Sequence, residues 1–113
     1  MEVTREIVVP AECDDVWSAL TEAERLEEWF ANDVELDAVP GGEGVFRWED
    51  GEERHARVEE VEHGRRFTFT WDDSCVAIEL EPVEGGTRVV VTETLGGGWG
   101  TALELHALAL VHA

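Results

Sequence analysis

Hydrophobic residues change their spacing three times along this chain, and those changes outline its elements. Over residues 2–9 (EVTREIVV) the apolar Val3, Ile7 and Val9 keep to one parity, the two-residue period of a strand. Pro10 lacks the amide a ladder needs and ends it. From Cys13 or Asp14 the spacing becomes helical, with Val16, Trp17 and Leu20 on one face. Thr21 followed by Glu24 has the form of a capping box, in which hydroxyl and carboxylate satisfy free amides at a helix start. It predicts a second short helix running to about Phe30, with Leu26, Trp29 and Phe30 on its buried stripe.

Beyond Phe30 the period returns to two. Val34 and Leu36 predict a short strand, Gly41-Gly42-Glu43-Gly44 a turn, and Phe46 with Trp48 one face of the next strand. Asp50-Gly51 is a hairpin signal. Ala56 and Val58 face inward on the following strand, but Val61 has the opposite parity, which predicts a bulge. After His63-Gly64, the rings of Phe67, Phe69 and Trp71 alternate with Arg66, Thr68 and Thr70; Val76, Ile78 and Leu80 repeat the pattern. Gly85-Gly86 turns the chain before Val89 and Val91, and the same parity puts Glu93 on the inner face. Residues 99–113 (WGTALELHALALVHA) read as a helix apolar around most of its circumference, with Trp99, Leu103, His106 and Leu110 in one stripe. Strand, two short helices, six strands in hairpin succession and a last helix make an α+β architecture, a single domain over residues 1–113.

Charge narrows the partners. Eight basic residues, all Arg, face 27 acidic ones, for a net charge of -19. Such a field repels phosphate backbones and anionic lipid, which excludes nucleic-acid binding. With no apolar run long enough to span a bilayer and no opening signal sequence, a cytoplasmic protein without membrane insertion is expected. The acidity fits a high-salt habitat and an Arg-favouring coding bias equally well.

Residue types that are missing exclude chemistries. There is no Lys for a Schiff base or a lysine general base and no Tyr for a phenolic acid. Neither Ser18 nor Ser74 lies in a G-x-S-x-G elbow. Cys13 and Cys75 are far apart and read as reduced thiols, and the four histidines lack ligand spacing, so neither a metal nor a cofactor is expected. His106 and Glu93 are the only acid/base candidates: a histidine titrates near neutrality, and a buried carboxylate needs a partner or a proton. Arg57 and Arg5 are candidate partners for Glu93; parity places Arg57 on the outer face and leaves Arg5 ambiguous.

Taken in order, several segments resemble the START-like, Bet v 1-like (SRPBCC) superfamily, within it the group related to the C-terminal domain of the Hsp90 ATPase activator. They are Val9-Pro10-Ala11 with Val16-Trp17-Ser18-Ala19-Leu20-Thr21, then Glu28-Trp29-Phe30, the Gly41-to-Trp48 stretch GGEGVFRW, Arg66-to-Trp71 (RFTFTW), Gly85-Gly86-Thr87-Arg88-Val89 with Val91-Thr92-Glu93-Thr94, and Gly98-Trp99 with Leu103 and Leu110. The resemblance covers essentially the whole chain. It implies a helix-grip fold, a seven-stranded antiparallel sheet wrapped round the C-terminal helix. Members include lipid and polyketide binders, aromatase/cyclases and chaperone regulators, and they share no catalytic motif that transfers to this chain.

The expected function is therefore binding of a small hydrophobic or aromatic ligand between sheet and terminal helix. Its expected lining is Trp29, Phe30, Phe46, Trp48, Val58, Phe69, Trp71, Ile78, Trp99 and Leu103, flat rings and aliphatic walls of the kind that hold apolar molecules. An alternative is a cyclase, dehydratase or isomerase that uses this cavity and moves protons with His106 and Glu93. A third is a chaperone-regulator module. Relatives have a longer segment before the last helix and a longer helix, so a more open cavity or a homodimer that completes the cover is expected.

Overall fold

The computed structural model describes residues 2–94. The helix expected over residues 99–113, with Trp99, Leu103 and His106, lies outside the described residues, as does the ring of Trp29. In chain order the elements are β1 (Val3–Val9), α1 (Cys13–Thr21), α2 (Ala23–Trp29), β2 (Asp33–Leu36), β3 (Glu43–Arg47), β4 (Glu53–Glu62), β5 (Arg66–Trp71), β6 (Ser74–Val83) and β7 (Gly86–Glu93). All seven strands form one antiparallel sheet in the order β1-β7-β6-β5-β4-β3-β2. Successive hairpins lay β2 to β7 side by side, and β1 closes on β7, the last strand made. This is an α+β fold.

Alternation makes the sheet two-faced, because successive side chains leave a strand on opposite sides. In β5 Phe67, Phe69 and Trp71 are buried while Arg66, Thr68 and Thr70 are half-buried; β7 repeats the pattern through Thr87, Val89, Val91 and Glu93. The register of β4 on β5 shifts between Val58 and Glu60, the bulge that the parity of Val61 predicts. Gly51, Gly64 and Gly85 take φ values of 92°, 76° and 90° at the hairpin turns. Asp72 joins them at 52°. Its carboxylate offsets the strain by accepting from the His55 amide at 3.1 Å and from Arg54 at 3.3 Å.

Two local expectations are corrected. Thr21 is not a cap: it ends α1, and its hydroxyl donates to the Trp17 carbonyl at 2.8 Å. The N-cap of α2 is Glu22, which makes no side-chain capping bond; α1 keeps Thr21, so α2 starts one residue later than the Thr-x-x-Glu pattern predicts. Trp48 does not continue β3. Its amide bonds the Glu52 carbonyl and its carbonyl accepts from Gly51, so the turn begins there.

Charges organise the outer face. Arg47 on β3 reaches Asp33 and Glu35 of β2 and Glu53 of β4, each at 2.9 Å. Arg66 on β5 lies 3.3 Å from Glu60 of β4 and from Glu79 of β6. Arg88 on β7 pairs with Glu81 of β6 and, at 3.4 Å, with Glu6 of β1. Arginine strands thus alternate with carboxylate strands across the whole sheet. Hydrogen bonds to these carboxylates, Glu35 foremost for Arg47 and Glu81 for Arg88, hold both guanidinium pKa values above the ordinary arginine value.

Candidate functional site: the inner face of the sheet

Register arranges the inner face in rows. One row runs Val58, Phe69, Val76, Glu93 and Val3 across five strands. A neighbouring row runs Leu36, Gly44, Ala56, Trp71 and Ser74. On its other side lie Phe67, Ile78, Val91 and Arg5. Directly opposed side chains stand about 4.5–5.5 Å apart at Cβ, so each row is a continuous wall.

The small residues in the second row leave room for rings. At Gly44 a Cβ would lie 2.9 Å from Leu36 Cδ1 and 3.3 Å from the Phe46 ring. Phe46 meets Trp71 edge-on at 4.8 Å between centroids, and Phe30 meets Phe46, Trp48 and Trp71 at 5.8, 5.5 and 5.8 Å. Edge-to-face contacts set the positive rim of one ring on the negative face of the next, worth about 0.5–1.5 kcal/mol per pair beyond burial. Phe46 and Trp71 are buried at the floor of this cluster, whereas Phe30 and Trp48 are half-buried at its rim. The Trp48 indole Nε1 also donates to the Phe30 carbonyl at 2.9 Å, tying the end of α2 to the chain just past β3.

At the other end of the wall α1 covers Phe67. Trp17 packs on it with centroids 6.0 Å apart and on His63 at 5.4 Å, and is itself buried. Trp17 is thus a docking residue of α1.

Glu93 is the chemical singularity of the wall. It is 2 % exposed, directly opposite Val76 and Val3. A carboxylate in such surroundings costs several kcal/mol unless hydrogen-bonded or protonated. Arg5 stands opposite Val91, one diagonal step away on the same face, which resolves its parity; Arg57 is exposed on the outer face. Ser74, not among the expected site residues, is 4 % exposed and likewise diagonal to Glu93. Its parity with Val76 was the available signal.

Of the expected lining, then, Phe30, Phe46, Trp48, Val58, Phe69, Trp71 and Ile78 fall on or at the rim of one surface, and Glu93 joins them. By contrast, an outer-face concavity of about 790 Å³ is lined by charges that include Arg65, Arg66, Arg88 and Glu79. No described helix is long and apolar enough to cross a membrane. Among the described residues no group of His, Cys, Asp and Glu is arranged to hold a metal.

A two-helix, seven-strand antiparallel layout with this inner wall defines the class, an α+β domain built on one two-faced sheet. The particular family follows from the sequence: residues 10–111 match the model of the Activator of Hsp90 ATPase homolog 1-like proteins, and the chain belongs to that family. The fold recurs in an AHSA1-like protein of Aeromonas hydrophila (21 % identity, TM-score 0.87, covering 99 % of this chain and 93 % of that one). It recurs in a Nitrosomonas europaea protein (22 % identity, TM-score 0.81, 99 % and 95 % covered). CalU16 of Micromonospora echinospora is similar as well (24 % identity, TM-score 0.76, 96 % and 74 % covered). At such identities the likeness is one of fold. A search of curated proteins finds no match.

Proposed function

We propose that the protein binds a small hydrophobic molecule, flat and aromatic in its best form, between the inner face of the sheet and the C-terminal segment. The observation that carries this reading is the continuous wall formed by Phe46, Trp71, Phe69, Val58, Val76 and Ile78, all buried, with one carboxylate set into it. Aromatic and aliphatic walls with a few convergent polar groups are what small-molecule sites are made of. Native mass spectrometry of freshly purified protein, followed by titration with the neutral fluorophore N-phenyl-1-naphthylamine, tests it. A retained small molecule, or saturable uptake with quenching of tryptophan emission, supports the reading. An empty protein that takes up no probe refutes it.

The burial of Glu93 favours a second reading, in which this carboxylate, with His106, moves protons in a cyclase, dehydratase or isomerase reaction. Glu93→Gln keeps the shape and removes the base, so turnover of a polyketide-like substrate falls by about 100-fold or more if Glu93 acts as general base. Unchanged turnover removes this mechanism. The family's name favours a third, a chaperone-regulator role, which stimulation of an Hsp90-type ATPase by the purified chain would support. A second copy completing the cover belongs to the first proposal, and light scattering reads it directly.

A further inference from the structure

We infer that α2 is a hinged flap through which ligand reaches the inner face; this rests on the binding reading above. α2 has only seven residues, and a single extended residue, Glu22 (φ -93°, ψ 126°), separates it from α1. Its amino end has no side-chain cap. Arg25 on α2 keeps a buried Nη2 with no hydrogen-bond partner among the described residues, a cost relieved when water reaches it. Short length, a missing cap and an unsatisfied donor place this element at the low-stability end of the fold.

Its far end is latched instead. Beside the Trp48 bond to the Phe30 carbonyl, the Asn32 amide donates to the Arg47 carbonyl at 3.0 Å, and the Asn32 side-chain oxygen accepts from the Glu49 amide at 2.8 Å. The Glu27 carboxylate accepts from the Val34 amide at 2.9 Å. These contacts gather on residues 27–34 of the α2–β2 corner, three of them reaching across to residues 47–49, and all lie opposite the Glu22 hinge. Rotation about Glu22 with release of the corner lifts Phe30 off Phe46 and Trp71, which uncovers the deepest rings of the wall. Closing returns the four bonds together. The flap therefore has two arrangements, with the latch setting how often it opens.

Amide hydrogen exchange under native conditions tests the motion without a ligand. The amides of Leu26, Phe30 and Val34 are expected to exchange at least ~100-fold faster than those of Phe69 and Ile78. Equal protection in the two sets overturns the flap. Glu27→Ala with Asn32→Ala removes two latch bonds from exposed positions without touching the wall. In that variant, stopped-flow uptake and release of N-phenyl-1-naphthylamine should both accelerate about threefold or more, at near-constant affinity. Rates identical to the parent protein overturn the gate even if binding stands. Absence of uptake by the parent overturns the binding reading itself, and with it the gate. Trp48→Phe, which keeps a ring but loses the donor, should also speed exchange at Phe30.

Discussion

Gly86 offers a sharp measure of how tightly β1 is locked to the last hairpin. It has φ 150°, and a Cβ built there would lie 2.0 Å from the Val9 carbonyl oxygen and 2.9 Å from Pro10 Cα. Ordinary contact begins near 3.4 Å, so Gly86→Ala has to displace backbone by more than an ångström. The backbone cannot yield freely: Val9 is paired with Thr87, the next residue, and the Thr87 hydroxyl donates to the Ala11 carbonyl at 2.8 Å. Gly85 is the control, with φ 90° and nothing within 4 Å of its would-be Cβ. Gly85→Ala carries backbone strain alone, about 1–2 kcal/mol. Gly86→Ala adds an overpacking cost, for about 4 kcal/mol in total. For a domain of this size about 1 kcal/mol moves the melting midpoint by about 4 °C, so thermal denaturation followed by circular dichroism should show losses of about 6 °C and about 15 °C. The clash lies where β1 hands over to α1, so near-ultraviolet dichroism from Trp17 should change in Gly86→Ala and not in Gly85→Ala. Equal midpoints for the two variants would refute the argument.

Other consequences are as direct. Replacing the uncapped Glu22 with Ser supplies a short acceptor at the start of α2 and should raise stability by about 0.5–1 kcal/mol in urea unfolding; Glu24→Ala should leave α2 unaffected, since no capping box exists. Arg47→Met strips three carboxylates of their shared cation, so its melting midpoint should fall, and the fall should shrink between about 0.02 and 1 M NaCl as screening sets in. Because the folded pKa of Arg47 is raised by these ionised carboxylates, its contribution is complete from neutral pH up to the unfolded arginine value and fades only above it. The gap between Arg47→Met and the parent, measured by urea titration, should thus be the same at pH 7 and pH 10. The parent protein itself should gain stability with added salt, because screening relieves the self-repulsion of a chain with net charge -19.

Most of the sheet is legible in the sequence because alternation leaves a mark at every second residue. The bulge in β4 shows as a parity break at Val61, and the inward placement of Glu93 follows from counting on from Val89 and Val91. What misleads is local pattern without tertiary context. Thr21 and Glu24 have the spacing of a cap, but helix α1 needs Thr21 for its own last turn. Trp48 has the parity of Phe46, yet it sits in the turn, and its indole bond joins it to a carbonyl 18 residues earlier. No periodicity carries such a bond. The apolar wall of the candidate site was readable, while the latch at the α2–β2 corner was not, because its bonds link residues that only the folded chain brings together.

The alternation of arginine and carboxylate strands also works as a positional lock on β6. Sliding that strand by two residues keeps every apolar side chain on its own face, so the core alone barely objects. Glu79 and Glu81, however, sit directly opposite Arg66 on one side and Arg88 on the other. Moved one way, β6 sets Ala77 against Arg66; moved the other way, it sets Val83 against Arg88. Either misalignment takes from one guanidinium its β6 carboxylate and leaves it a single partner, Glu60 for Arg66 or Glu6 for Arg88, so two glutamates favour one alignment among three that oil and water would accept.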